Sequence, residues 1–318
     1  MRWATLLSVA ALAACGGPPD PIPFDEGTHR AQIDSFAQAR VAELAAPDSW
    51  LSLVGLHWLE PGETTLGSSL ENGIVLPEGK AAARVGSVVV DGTSVRFQSH
   101  PGVRVIQGVD STLNLQAGSG AFPPDTTLDP VVTEAELTGD VGYGRFVVLR
   151  HGAINWIVIK RGDRVALRVR DNGHEAYDAF HGIDRFATDP GWRVTARWVP
   201  HEKTVAVPNV LGTVSQEPSP AALEFWVDGE RHTLDVTGDP EAEQYMLVFA
   251  DGTTGRGTYG GGRYLWVTRP DENGRVVMDF NMAYNPPCVW TPFATCPLPS
   301  RDNRIPVAIE AGEKDWAH

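Results

Sequence analysis

The chain has 318 residues, 42% of them hydrophobic, with 33 Gly, 24 Pro, 3 Cys and a formal charge of -14. That apolar content excludes a disordered or low-complexity chain, and a chain of this length buries a substantial core without staples. The acidic balance opposes a phosphate backbone, so nucleic acid is not an expected partner.

The chain opens with Met1-Arg2-Trp3 and a short apolar run from Ala4 to Ala14. One positive charge before a run too short to span a bilayer is the pattern of an export signal over residues 1–14. The run ends Leu12-Ala13-Ala14-Cys15, which resembles a bacterial lipobox, whose cysteine becomes the acylated first residue of the mature protein. The resemblance implies a membrane partner through lipidated Cys15 and, with Gly16 rather than Asp in the second mature position, an outer-membrane location facing the periplasm. Residues 15–27 are rich in Pro and Gly, and are expected to act as a poorly ordered tether below a β-rich domain over residues 28–318.

Ile33, Phe36, Ala37, Val41 and Leu44 recur at helical spacing and Pro47 stops them, which predicts one amphipathic helix over residues 26–46. Beyond Trp50 the apolar period becomes two. Val88-Val89-Val90, Asp91-Gly92 and Ser94-Val95-Arg96-Phe97 read as strand, two-residue turn and strand, because Asp-Gly accepts the positive φ of a type I′ turn. His151-Gly152, Gly162-Asp163, Asp228-Gly229 and Asn273-Gly274 repeat the pattern between runs rich in Val, Ile, Phe and Trp. Repeated short hairpins with no second long helix predict a mainly β fold, an antiparallel sandwich or barrel-like single domain. The Gly118 to Pro130 stretch is expected to be a loop within that domain.

Gly255-Arg256-Gly257-Thr258-Tyr259-Gly260 has the spacing of a dinucleotide fingerprint, but a strand-like run, Tyr264 to Val267, follows it where a helix is required. A glycine-rich turn is therefore expected, and nothing in the chain calls for a cofactor. His174, Asp178 and His181 have helical ligand spacing yet lie in a loop-like stretch, so no metal site is assigned. His57 reads as a core or rim histidine. No GxSxG elbow is present, which leaves open a Ser-His-Asp site assembled from distant strands, since such sites are defined by geometry and not by spacing. Cys288 and Cys296 lie eight apart in an exported chain, and a disulfide is expected ahead of free thiols or metal.

From Asp279 the chain reads Asp-Phe-Asn-Met-Ala-Tyr-Asn-Pro-Pro-Cys, continuing to Cys296-Pro-Leu-Pro299, then Asn303-Arg304 and Ala311-Gly312-Glu313-Lys314. With Trp50 to Leu59 and Thr258-Tyr259-Gly260 near Arg263, this resembles an uncharacterised bacterial and archaeal domain-of-unknown-function family over about residues 50–314. The resemblance implies no reaction. Read chemically, Asp279 is a candidate carboxylate base, Arg263 an anion or oxyanion partner, and Tyr259 a neighbouring candidate. Asn281, Tyr284, Asn285 and Asn303 are candidate ligand contacts in a pocket preorganised by Pro-rich loops. Three readings follow: a hydrolase-like enzyme, a module binding a small polar or glycan ligand, or a structural envelope protein in which these residues only pin a loop.

Overall fold

The computed structural model describes residues 16–92, 94–110, 131–137 and 146–316. Cys15, the export signal and the Gly118 to Pro130 loop lie outside the described residues. The fold is mainly β, built from several antiparallel sheets and one long helix, α1 (Glu26–Ala45). Asp25 caps that helix, its carboxylate accepting from the Thr28 N–H at 2.8 Å. The buried face is mixed: Ile33 and Leu44 share it with His29 and Arg40.

The first half contains β1 (Leu53–Leu59), β2 (Gly62–Gly67), β3 (Ile74–Val75), β4 (Gly86–Asp91), β5 (Ser94–Ser99), β6 (Ile106–Asp110), β7 (Glu134–Glu136), β8 (Phe146–His151), β9 (Ile154–Arg161) and β10 (Arg164–Asp171). They form two five-stranded sheets, ordered β1-β10-β9-β8-β6 and β3-β2-β4-β5-β7. Both sheets contribute to one core, where Leu66, Val88 and Phe97 meet Trp156, Leu167 and Val169, as in a sandwich. Phe97 and Trp156 have ring centroids 5.5 Å apart.

A single helical turn, α2 (Ala176–Ala179), leads to β11 (Arg193–Pro208), β12 (Val214–Val227), β13 (Glu230–Asp235), β14 (Gln244–Phe249), β15 (Arg263–Thr268) and β16 (Arg275–Asp279). The sheet β13-β12-β11-β16 and the pair β14-β15 enclose a second core around Phe225, Leu247, Phe249, Met278 and Phe280. The strands β11 and β12 form a long hairpin interrupted between Pro200 and Lys203, where the register slips. His201 and Glu202 there face the single residue Pro220, which makes a β-bulge.

Gly162-Asp163 and Asp228-Gly229 are the two-residue turns that the sequence predicts, each joining directly paired strands. The hairpins predicted at Asp91-Gly92 and His151-Gly152 also form, but Asp91 pairs with Ser94 and His151 with Ile154, so those turns start one residue later, at Gly92 and Gly152. Asn273-Gly274 differs. It lies in a turn closed by Gly274 N–H to Asp271 O at 2.9 Å, but β16 then pairs with β11 and not with β15, so this turn crosses between sheets.

The predicted poorly ordered tether is seated on the protein in its described part. The Arg197 guanidinium donates to Gly17 O at 2.6 Å, Arg193 to Ile22 O at 3.1 Å and Arg275 to Asp20 O at 3.3 Å, while the Ile22 N–H donates to Thr195 Oγ1 at 2.9 Å. Prolines remove donors but not carbonyls, and arginines along β11 and β16 take up the carbonyls that are left.

Candidate functional site

The C-terminal signature folds under α1 as a buried polar network. Gly262, at φ 86°, turns the chain where an added Cβ would lie 2.5 Å from Phe249 O, so only glycine fits. The next residue, Arg263, is wholly buried. Its guanidinium donates to Asp251 Oδ2 at 2.8 Å and Ile309 O at 2.9 Å, and also to Ala311 O. Burial lowers the Arg263 pKa and Asp251 opposes the shift. Asp251 is itself held by Thr253, which donates through its N–H at 2.7 Å and its hydroxyl at 2.6 Å.

Asp279 stands at the end of β16, 2.6 Å from His29 Nε2 of α1, and accepts from the Asn281 side-chain amide at 2.9 Å. Arg263 and Asp279 therefore have different partners. Arg185 links their surroundings: it donates to Asn281 O and lies 3.8 Å from Glu313 Oε1. Glu313, wholly buried, accepts from Arg40 Nε at 3.1 Å and from the Asn285 N–H at 2.7 Å. Arg40 also pairs with Glu43 at 2.9 Å and stacks over the Tyr284 ring at 4.9 Å. Burial raises the Glu43 pKa to about 7 against the opposing pull of Arg40, and one of its carboxylate oxygens, Oε1, is buried without a hydrogen-bond partner. Burial likewise raises the Tyr284 phenol far above its ordinary value.

Thus Asp279 and Asn281 sit together, and Tyr284 and Asn285 meet Arg40 and Glu313. Tyr259 lies elsewhere, in an apolar cluster with Trp290, Phe180 and Leu51. Asn303 is also separate, its amide accepting from the Asp235 N–H at 2.8 Å and donating to Asp235 O at 2.8 Å and Val248 O at 2.9 Å. The sequence reading missed His29, Arg40, Glu43, Arg185 and Asp251. The signal for three of them was present: His29, Arg40 and Glu43 fall on the face of α1 that carries Ile33 and Phe36. Cys288 and Cys296 form the expected disulfide. Gly255 to Gly260 forms turns closed by Gly255 N–H to Thr258 O at 2.8 Å ahead of β15, consistent with a glycine-rich turn.

Two hollows lie away from this network. A groove of about 1330 Å³ has Lys160, Arg161 and Arg164 on one bank, Glu241 and Glu243 on another, and Trp266 among its lining. Asn209, Thr213 and Gln244 add amide and hydroxyl groups. Arg164 stacks over Trp58 at 3.8 Å and Arg161 Nε donates to Thr295 Oγ1 at 3.1 Å, so both guanidiniums are held in place. A second hollow of about 840 Å³ opens at the β11 bulge, walled by Pro200, Pro218, Pro220 and Pro240 around His201 and Ser219.

Residues 178–314 match a family model described as a protein of unknown function, DUF1684. The solution structure of an uncharacterized protein from gene locus rrnAC0354 of Haloarcula marismortui is 32% identical, covering 44% of this chain and 80% of that one, with a TM-score of 0.38. The FhaA FHA domain complexed with the intracellular domain of Rv3910 is 14% identical, covering 36% of this chain and 97% of that chain at a TM-score of 0.21, which carries no structural argument. No curated protein matches.

Proposed function

We propose that this chain, of which residues 178–314 match the DUF1684 family model whose description carries no activity, is a cell-envelope protein binding a small polar or glycan ligand in the groove beside the β9–β10 turn. The observation behind this reading is the groove itself, about 1330 Å³ with cationic and acidic banks and an indole in its lining. Opposed charges with amide and hydroxyl groups suit a hydroxyl-rich ligand, and an indole face suits the C–H face of a sugar ring. The signature residues favour a clamp instead of a reacting centre. Asp279, Arg263, Asn281 and Asn303 are all buried on protein partners, and none of them lines either hollow.

The test is saturation-transfer NMR of the full chain against a set of neutral and amino-sugar oligosaccharides, followed by titration of any ligand found. Arg164→Ala and Trp266→Ala are each expected to weaken binding by at least tenfold while the fold is kept. A panel without any ligand, or a ligand indifferent to both substitutions, would overturn the reading.

A further inference from the structure

We propose that Ser219 and His201 form a hydrolytic centre for carboxylic esters of small apolar acids, in the hollow at the β11 bulge. No residue lining this hollow lines the groove. The bulge sets His201 beside Ser219, and the His201 Nε2 to Ser219 Oγ distance is 2.9 Å. Reach between a hydroxyl and a neutral imidazole is the first geometric requirement of an activated serine. Burial lowers the His201 pKa, the Lys203 cation lowers it further and Asp235 opposes both, which favours the neutral ring, and in its Nδ1–H tautomer Nε2 accepts the hydroxyl proton. Asp235 Oδ1 lies 3.8 Å from the same Nε2, close enough to stabilise an imidazolium by charge. It does not orient the ring through Nδ1 as in a Ser-His-Asp triad. Asp235 is in turn fixed by Lys203 at 2.9 Å and through its backbone by Asn303, which makes these two positioning residues.

The walls define the substrate class. Four prolines offer C–H surface and no amide donors, and the charges of Glu202 and Lys203 offset each other, so the lining favours an apolar acyl group over a charged one. In the reaction Ser219 Oγ bonds to the ester carbonyl carbon and its proton passes to His201 Nε2. Collapse of the tetrahedral intermediate breaks the carbon–alkoxide bond, and the leaving alcohol takes that proton. Water then attacks the acyl-serine, giving its proton to His201, and Ser219 Oγ recovers it as the acid leaves. No oxidant, reductant or further reactant is needed.

The experiment is labelling of the full chain with a small fluorophosphonate, mapped by peptide mass, beside turnover of p-nitrophenyl butyrate. Labelling at Ser219 is expected in the native protein and not in Ser219→Ala. His201→Gln should slow it at least 100-fold, in the range that a lost general base produces. The native rate should rise with pH through the His201 titration, below the ordinary histidine value, with Lys203, Asp235 and Ser219 as the groups facing the ring. Folding of each variant is checked by circular dichroism, and if Ser219→Ala does not fold, mapping on the native chain decides. Absence of an adduct at Ser219 in the folded native protein, or His201→Gln labelled at the native rate, would overturn the proposal.

Discussion

The side chain that most constrains the signature is Glu313, wholly buried between Arg40, Arg185 and the Asn285 N–H. Removing one partner of a buried ion pair leaves the other charge uncompensated, which typically costs about 3 to 5 kcal/mol. Glu43 completes the cluster at a cost. Its pKa rises from 4.5 to about 7 mainly through burial, so the folded protein binds its proton more tightly than the unfolded chain does. The contribution to stability is then fully present below pH 4.5 and is lost as pH rises through 7. The shift corresponds to roughly 3 kcal/mol across that window. Glu43→Gln removes the titration and is expected to flatten the fall in melting temperature between pH 5 and pH 8; an unchanged slope would mean that Glu43 is not its source. Arg263 and Asp279 were readable in the sequence as polar residues of special surroundings. Their partners were not, because Asp251 and His29 lie 12 and 250 positions away, respectively, in the chain.

Among the elements, α1 shows how far periodicity reaches. The helix runs over Glu26–Ala45, as its spacing predicts, since period and capping are local properties. That His29 and Arg40 would be buried is not a local property; it depends on carboxylates supplied by β16 and the C-terminal segment. The Pro-rich loop behaves similarly. Its disulfide joins Cys288 to Cys296, and the strip after it is docked by Leu298 N–H to Pro208 O at 2.7 Å and Cys296 O from the Val210 N–H at 3.1 Å. Closing so short a loop constrains the unfolded chain by about 2 to 3 kcal/mol. Cys288→Ser/Cys296→Ser is expected to lower the unfolding free energy by that amount in urea, with native-like circular dichroism retained. Equal midpoints for variant and native protein would show that backbone docking alone holds the strip. The N-terminal segment is the case where local reading misled: Pro and Gly content predicts a loose spacer, whereas three arginines distant in sequence collect its carbonyls.

At the scale of the whole molecule, the described residues form two β cores with the signature and α1 packed at their junction, where Thr291 Oγ1 donates to Leu53 O at 2.8 Å. We propose that this body is held at the membrane by acylated Cys15. Two or more acyl chains anchor stably where one binds reversibly, so native protein should fractionate with membranes and Cys15→Ser should move to the soluble fraction. Retention of Cys15→Ser on membranes would refute the anchor. The sequence by itself determined the mainly β class, the single long helix, four hairpins with two of their turns placed to the residue, and the disulfide, because each rests on the period of apolar residues, on backbone preferences of Asp and Gly, or on the spacing of two cysteines. Only the tertiary structure decided which charges meet. It turned Arg263 toward Asp251 and Asp279 toward His29, closed the signature into a network, and set His201 beside Ser219 across a bulge. Those contacts come from strand register and sheet pairing between distant segments, and one residue of slip would point each side chain to the other face.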